Sequence, residues 1–248
     1  MPKLGTRTAG QQIEVVRSFL ERFDAFNRRE DQSIPLVAQL LDRFKAARPK
    51  FQEEEQSWRK ATAPNFNVFR MLHLERRETK LHNRFLAELL DPNGMHDQGD
   101  HFLTEFLELA KKGGLRGPSE SAAGLIWKIT TEEPVSVYDR LDIVLRGTRH
   151  RSVGVHFVMV IENKIDATEG IEQLRRYDDW LQKQEADFRN LVFLTPDGRE
   201  PTTISADKCV CLSYSEHVTA WLRKLLDQIQ APLLRFAIDQ YLQVLDSF

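Results

Sequence analysis

Three charged side chains stand where hydrophobic segments predict β-strands. Glu162 and Lys164 follow the apolar run of "VMVIENKIDA" (residues 158–167), and Asp142 interrupts "LDIVL" (residues 141–145). Successive side chains of a strand point to opposite faces, so Glu162 and Lys164 are expected on the same face. If the two segments are neighbouring strands, Asp142 and Glu162 can form a two-carboxylate site for a divalent cation.

The same charges also have a structural interpretation, which these residues leave open. The glutamate and the lysine can form a solvated ion pair at the end of a strand. Leu141, Ile143 and Leu145 are expected on one face of the earlier strand and Asp142 on the other, which could be an exposed face. The helices on either side of the strands help to decide between the two interpretations.

A carboxylate and an imidazole fall on the apolar side of the helix predicted for "ERRETKLHNRFLAELLDP" (residues 75–92). At 100° per residue, Glu78, His82, Phe85 and Leu89 lie nearly on one line. A histidine on such a line is usually a hydrogen-bonded structural group. Buried carboxylates are uncommon unless they are paired or bound to a metal, so Glu78 is the stronger candidate for a site.

The helix predicted after Lys164 also carries polar groups on its apolar side. Gln173, Tyr177 and Trp180 align at positions i, i+4 and i+7. The glutamine could bond a loop carbonyl, contact a nucleic-acid backbone or orient the site beneath it.

The segments that must position these residues predict a mixed sheet flanked by helices, in an α/β (α+β) architecture. Helices come first, then two or three strands joined by hairpins, then a helix, two strands and further helices. Residues 9 to about 60 have a helical pattern, and Val15 and Phe26 lie on its apolar side. Pro35 and Pro49 separate stretches of that pattern. We expect residues 1–62 to form a helical segment packed on the core, and residues 63–248 to form the main domain.

Composition excludes several classes of protein. The 248 residues are 41% hydrophobic and 29% charged, with a net charge of −2. We expect a cytoplasmic protein without membrane contact, because there is no apolar run of membrane length and no secretory signal. Two cysteines two positions apart indicate neither a disulfide framework nor a zinc site. The phosphate-binding, dinucleotide-binding, nucleophile-elbow and HExxH motifs are absent from the sequence.

Taken together, the motifs resemble the PD-(D/E)XK nuclease superfamily, and within it a family of bacterial standalone nuclease-like proteins. The resemblance rests on "RRETKLHNRFLAELLDPNGMHDQGDHFLTEFL" (residues 76–107), "DRLDIVL" (residues 139–145) and "VIENKIDATEGIEQLRRY" (residues 160–177). The sequence departs from the family pattern at Thr79, where asparagine is frequent, and at Asp97, where glycine is common. Neither departure removes an expected metal ligand.

The resemblance implies a restriction-endonuclease-like fold and a role for each matching residue. Asp142 and Glu162 would bind Mg²⁺, with the backbone carbonyl of Asn163 as a further ligand and Glu78 completing the metal shell or holding one of its waters. Lys164 would position and help to activate the attacking water. The remaining matches are assigned supporting roles: Gln173 and Tyr177 of a RecB-like helix, and His82, Asp91, His96, Gln98 and Gly99.

The implied activity is metal-dependent hydrolysis of phosphodiester bonds, in DNA rather than RNA. Oxygen ligands suit Mg²⁺, with Mn²⁺ as a substitute, better than they suit zinc. The alternative is a nuclease fold without catalysis that binds nucleic acid or regulates another process. Intact Asp142, Glu162 and Lys164 favour the enzyme. A homodimer or another protein partner is left open.

Overall fold

The chain divides into two compact units, Met1–Phe66 and Asn67–Phe248. The computed structural model describes residues 9–117, 124–137, 139–150 and 154–248, and the side chains of residues 17–24 and from residue 37 onward within those ranges. Val15 and Phe26 therefore lie outside the described side chains. The packing of residues 1–62 on the main domain stays a prediction.

The described part of the first unit consists mainly of one long helix, α1 (Ala9–Thr62). It runs through both Pro35 and Pro49, which the sequence pattern treats as separators of helical stretches. Exposed ion pairs one turn apart, such as Arg59 with Glu55 at 2.9 Å, accompany its last turns. None of the helices in the described part of the chain is both long enough and apolar enough to cross a membrane.

The second unit is built on a five-stranded sheet in the order β1-β2-β3-β4-β5. The strands are β1 (Leu125–Pro134), β2 (Arg140–Arg149), β3 (Val155–Asn163), β4 (Phe188–Thr195) and β5 (Val210–Ser213). The first three pair antiparallel, and β3, β4 and β5 pair parallel. This mixed sheet confirms the predicted fold class.

Helices cover the sheet, and two of the helical turns are π-helical. In chain order the helices are α2 (Val68–Met71), a π-helical turn (Glu78–His82), α3 (Asn83–Leu90), α4 (His101–Lys112), α5 (Gln173–Gln182), a 3₁₀ turn (Ala206–Lys208), a second π-helical turn (Tyr214–Val218), α6 (Thr219–Leu226) and α7 (Pro232–Leu245).

Two hydrophobic clusters hold the sheet between these helices. The larger contains Ile143 and Ile161 with residues of α3, α4, α6 and α7, and the smaller joins Val160 to Leu174 and Tyr177 of α5. Strand β3 is buried along both faces after its first residue, as expected for a central strand.

One predicted face assignment is wrong. Leu141 packs in the smaller cluster with Val144, whereas Ile143 packs in the larger one. The strict alternation of β2 fails at this end, where Glu132 of the facing strand β1 has a φ of 55° and the pair Glu132–Asp142 is missing from the β1–β2 register. Asp142 therefore lies at an irregular end of the strand pair and not on an exposed regular face.

His82 is a structural group in an aromatic pocket. Its Nδ1 lies 2.8 Å from the Tyr241 hydroxyl and its Nε2 lies 3.0 Å from the Glu75 carbonyl oxygen. The rings of Tyr214 and Phe248 lie about the imidazole with centroids at 5.4 and 5.5 Å. Burial lowers the His82 pKa from 6.5 to about 4, so the ring is neutral at pH 7.

We expect His82→Phe to lower the free energy of unfolding at pH 7 by about 2 kcal/mol or more, because two buried hydrogen bonds are lost. The lowered pKa means that the unfolded chain binds the additional proton between pH 6.5 and 4, so the wild type loses stability as pH falls through that window. Urea unfolding at several pH values should show this loss in the wild type and in the exposed control His150→Phe, but not in His82→Phe. An identical loss in His82→Phe would contradict the assignment.

Candidate active site

The end of β3 places an ion pair below the surface of the second unit. Lys164 Nζ lies 2.7 Å from Glu162 Oε1, and the two residues are 9% and 1% exposed. Charged groups this deeply buried are rarely structural alone, because removing both charges from water costs more than one contact recovers. The pair lies inside the domain and is not a solvated strand cap.

Asp142 lies beside this pair, as the register of the two strands requires. Ile143 pairs with Ile161, which places Asp142 next to Glu162 across the β2–β3 ladder. Asp142 Oδ2 accepts the Asn163 backbone N–H at 2.8 Å, and the charge of the Asp142 carboxylate acts on Glu162.

Glu78 lies at the edge of the group. Its Oε1 accepts the backbone N–H of Ile165 at 2.6 Å, and its charge acts on Lys164. Among the described residues, no three His, Cys, Asp or Glu side chains form a group that could hold a metal ion. The convergence expected for Glu78, Asp142 and Glu162 is thus limited to the last two.

The helix after β3 also contacts Glu162, at the oxygen that Lys164 contacts. Gln173 Nε2 donates to Glu162 Oε1 at 2.8 Å and contacts the Tyr177 hydroxyl at 2.9 Å. That hydroxyl in turn donates to the Arg140 carbonyl oxygen at 2.7 Å. The predicted alignment of Gln173 and Tyr177 therefore connects α5 to β3 and to β2, next to Asp142.

Burial and mutual repulsion raise the carboxyl pKa values. Burial raises the Asp142 pKa from 3.8 to about 6, against the opposing effect of its hydrogen bonds. Burial and the Asp142 charge raise the Glu162 pKa well above its usual value. Burial alone would lower the Lys164 pKa, but the Glu162 and Asp142 carboxylates outweigh it and raise that pKa. When both carboxyl groups are ionised, their two negative charges exceed the single positive charge of Lys164, so both groups retain protons to a higher pH than usual.

Two buried oxygens in the group lack a hydrogen-bond donor within the described part of the chain. They are Glu162 Oε2 and Asn163 Oδ1. Buried acceptors are normally satisfied, so oxygens without donors indicate an absent partner. Carboxylate and amide oxygens, such as these two beside Asp142, are the kind of ligand that Mg²⁺ and Mn²⁺ prefer. The residues present therefore fit a divalent cation. The Asn163 side-chain oxygen would be a metal ligand in addition to the Asn163 backbone carbonyl, which the sequence analysis expects as a ligand.

Asn83 contacts Asp142 directly, and Glu132 is joined to Asp142 through Asn83. The sequence pattern indicated neither residue. Asn83 Nδ2 donates to Asp142 Oδ1 at 2.9 Å and to Glu132 Oε1 at 3.0 Å. A straight 100° helix aligns His82 with Glu78, but the π-helical turn bonds the Asn83 N–H to the Glu78 carbonyl and brings residue i+5 over residue i. Only knowledge of that turn would have identified Asn83.

The other residues of the family signature shape a loop. His96 Nε2 lies 2.9 Å from the Asp91 carbonyl oxygen, its Nδ1 accepts the Gln98 N–H at 3.0 Å, and its ring packs edge-on against Phe102. Asp97 has a φ of 54°, in the left-handed region that aspartate tolerates better than most residues, which accounts for glycine being common there. Gly99 follows with a φ of 58°.

The sheet order and the flanking helices define the restriction-endonuclease-like fold, and the Asp142 and Glu-x-Lys group lies where β2 and β3 meet at one end of that sheet. Residues 66–243 match the family model of the PD-(D/E)XK nuclease superfamily, and the chain belongs to that superfamily. Comparison with curated proteins and with solved structures gives no match.

The Gln173 contact yields a prediction. Gln173→Leu is expected to weaken cation binding and cleavage by about 10- to 100-fold, because Glu162 loses the neutral donor that orients it. Gln182→Leu is the matched control, since Gln182 Nε2 donates to Asp178 at 3.0 Å at the far end of the same helix. Isothermal titration with Mn²⁺ and a cleavage assay measure both effects. Equal values for the two variants would show that Gln173 does not orient the site.

Proposed function

We propose that this chain is a Mg²⁺-dependent nuclease that hydrolyses phosphodiester bonds of DNA. Superfamily membership supports nuclease chemistry. The observation that carries the proposal is a pair of buried oxygens, Glu162 Oε2 and Asn163 Oδ1, to which no described residue donates a hydrogen bond, beside a lysine 2.7 Å from Glu162 Oε1. Mn²⁺ should substitute for Mg²⁺.

In this proposal Asp142, Glu162 and Asn163 hold the cation, and Glu78 orders the segment after Lys164 and a water at the edge of the shell. When bound, the cation supplies a Lewis acid for a phosphoryl oxygen and a water of lowered pKa. The excess carboxylate charge favours cation binding, which releases the protons that the raised pKa values retain.

Lys164 has two roles in the proposed reaction. Its ammonium group donates a hydrogen bond to a non-bridging oxygen of the scissile phosphate and offsets charge that develops there, and it orients the attacking water. Glu162 Oε1 contacts the Lys164 ammonium group and accepts a hydrogen bond from Gln173. These contacts preorganise the lysine, so that little reorganisation is needed when substrate binds.

DNA is proposed as the substrate on the resemblance alone, and the cytoplasmic location is proposed from the composition of the sequence. The test is a panel of labelled double-stranded DNA, single-stranded DNA and RNA, incubated with protein freed of metal by EDTA and then given Mg²⁺ or Mn²⁺. We expect cleavage of DNA only when the cation is restored. Cleavage of RNA alone would show that RNA, and not DNA, is the substrate. Binding of nucleic acid without any cleavage would favour the non-catalytic alternative.

A further inference from the structure

The side chain of Asn83 joins the three antiparallel strands at the site. Its Nδ2 donates to Glu132 of β1 at 3.0 Å and to Asp142 of β2 at 2.9 Å, while its Oδ1 accepts from Asn163 Nδ2 of β3 at 2.9 Å. Asn83 is fully buried, so these contacts are not interchangeable with water.

The chemistry of the partners fixes the orientation of the Asn83 amide. Ionised carboxylates accept hydrogen bonds only, so the two hydrogens of Nδ2 must face Asp142 and Glu132, and Oδ1 must face the Asn163 amide. The reversed amide would direct an oxygen at two carboxylates. Each of the three contacts thus reinforces the other two.

The charge of the donor matters as much as its position. An arginine or lysine in place of Asn83 would hold the same carboxylates but would also neutralise them and compete with a cation. A neutral amide orients Asp142 and leaves its negative charge available. It also gives Asp142 and Glu132, two carboxylates on neighbouring strands, a shared hydrogen-bond donor.

We infer that Asn83 is a positioning residue of the active site, which sets the orientation of the Asp142 carboxylate and of the Asn163 amide for the cation. The inference rests on the proposed function and extends it to a residue that contacts neither substrate nor cation. It also gives a role to the π-helical turn Glu78–His82, which is what brings Asn83 to the side of Glu78.

The test compares Asn83→Ala, which removes the amide, and Asn83→Ser, which restores one donor. Asn190→Ala is the matched control: Asn190 is 6% exposed and its amide makes two hydrogen bonds to the Arg116 backbone, at 2.8 and 2.7 Å. It lies on β4 opposite Met159, three residues before the pair Glu162–Phe193. Mn²⁺ binding by calorimetry, kcat and KM for a DNA substrate, and the midpoint of thermal unfolding are measured for each.

Asn83→Ala is expected to weaken Mn²⁺ binding and lower kcat by about 10- to 100-fold, with KM changed less than about threefold, and Asn83→Ser should recover part of both losses. Asn190→Ala should keep wild-type Mn²⁺ binding and kcat even where its unfolding midpoint falls. If Asn83→Ala does not fold, Asn83→Ser provides the same comparison.

Wild-type Mn²⁺ affinity and kcat in the folded Asn83 variants would overturn the inference and leave the proposed function standing. A wild type that neither binds Mn²⁺ nor cleaves would overturn both. A loss in Asn83→Ala with no recovery in Asn83→Ser, accompanied by an equal loss in Asn190→Ala, would reduce Asn83 to an ordinary structural asparagine.

Discussion

Lys164→Met is expected to reduce the single-turnover rate of DNA cleavage by about 10²- to 10³-fold, with little change in DNA affinity. The methionine keeps the unbranched side chain and its packing as far as Cε, but it removes the amino group and its positive charge, which would face the scissile phosphate. Loss of one preorganised group that stabilises developing charge costs about this much in rate. The buried Glu162 also loses its ionic partner, which raises the free energy of the cation-free site further.

Lys208→Met is the control for this substitution. Lys208 also forms an ion pair with a carboxylate, Asp178, at 3.2 Å, but on the segment before β5 and not at the end of β3. We expect the Lys208→Met variant to cleave DNA at the wild-type rate. If Lys164→Met also cleaves at that rate, the buried ion pair of Glu162 with Lys164 is not part of the reaction.

The second large effect is on stability and arises from Asp142. Burial raises its pKa from 3.8 to about 6, so the folded, cation-free protein holds a proton on this carboxyl group that the unfolded chain has already released. A raised carboxyl pKa costs stability as pH rises through the window from about 4 to 6. Asp142→Asn removes this cost, although the amide offers one acceptor oxygen where the carboxylate offers two.

The expected result is therefore a change in pH dependence. Between pH 4 and pH 7 in EDTA, the free energy of unfolding of Asp142→Asn should rise relative to the wild type by about 2–3 kcal/mol. The cost of the lost acceptor oxygen does not depend on pH, so it does not alter this change. His82 is present in both proteins, so its effect on the pH dependence is the same in each. Urea unfolding of the wild type, Asp142→Asn and the control Asp178→Asn measures it. If the difference in the free energy of unfolding between Asp142→Asn and the wild type stays constant from pH 4 to pH 7, the Asp142 pKa is not raised in the folded protein.

Mg²⁺ should also stabilise the wild type at pH 7 and leave Asp142→Asn nearly unchanged. Ligands that bind only the folded state stabilise it by mass action, and the variant lacks one of the proposed oxygen donors. The same unfolding series, repeated with excess Mg²⁺, measures this difference. Equal stabilisation of the two proteins would place the cation elsewhere.

Local patterns were sufficient to predict much of this architecture. Alternating side chains put Glu162 and Lys164 on one face. A hairpin is compatible with Asp142 lying beside Glu162, but only the structure gives the β2–β3 register that places it there. The i, i+4 spacing aligned Gln173 with Tyr177 because α5 is a regular helix there. The alignments within β3 and within α5 depend only on strand and helix periodicity.

The missed features depend on departures from periodicity. The π-helical turn brings Asn83, and not His82, over Glu78, and a 100° periodicity cannot anticipate it. Glu132 itself has a φ of 55°, and a glutamate in the sequence does not indicate that conformation. Sequence also could not place Glu78 at the edge of the group, because that depends on where the segment around Ile165 passes.

The most direct test of the central claim is cleavage of a labelled double-stranded DNA by the wild type and by Glu162→Gln, each freed of metal and then titrated with Mg²⁺. If Glu162 holds the cation, the wild type cleaves only once Mg²⁺ is added and Glu162→Gln does not cleave at concentrations that saturate the wild type. Cleavage by Glu162→Gln at the wild-type rate, or cleavage by the wild type in EDTA, would contradict the claim.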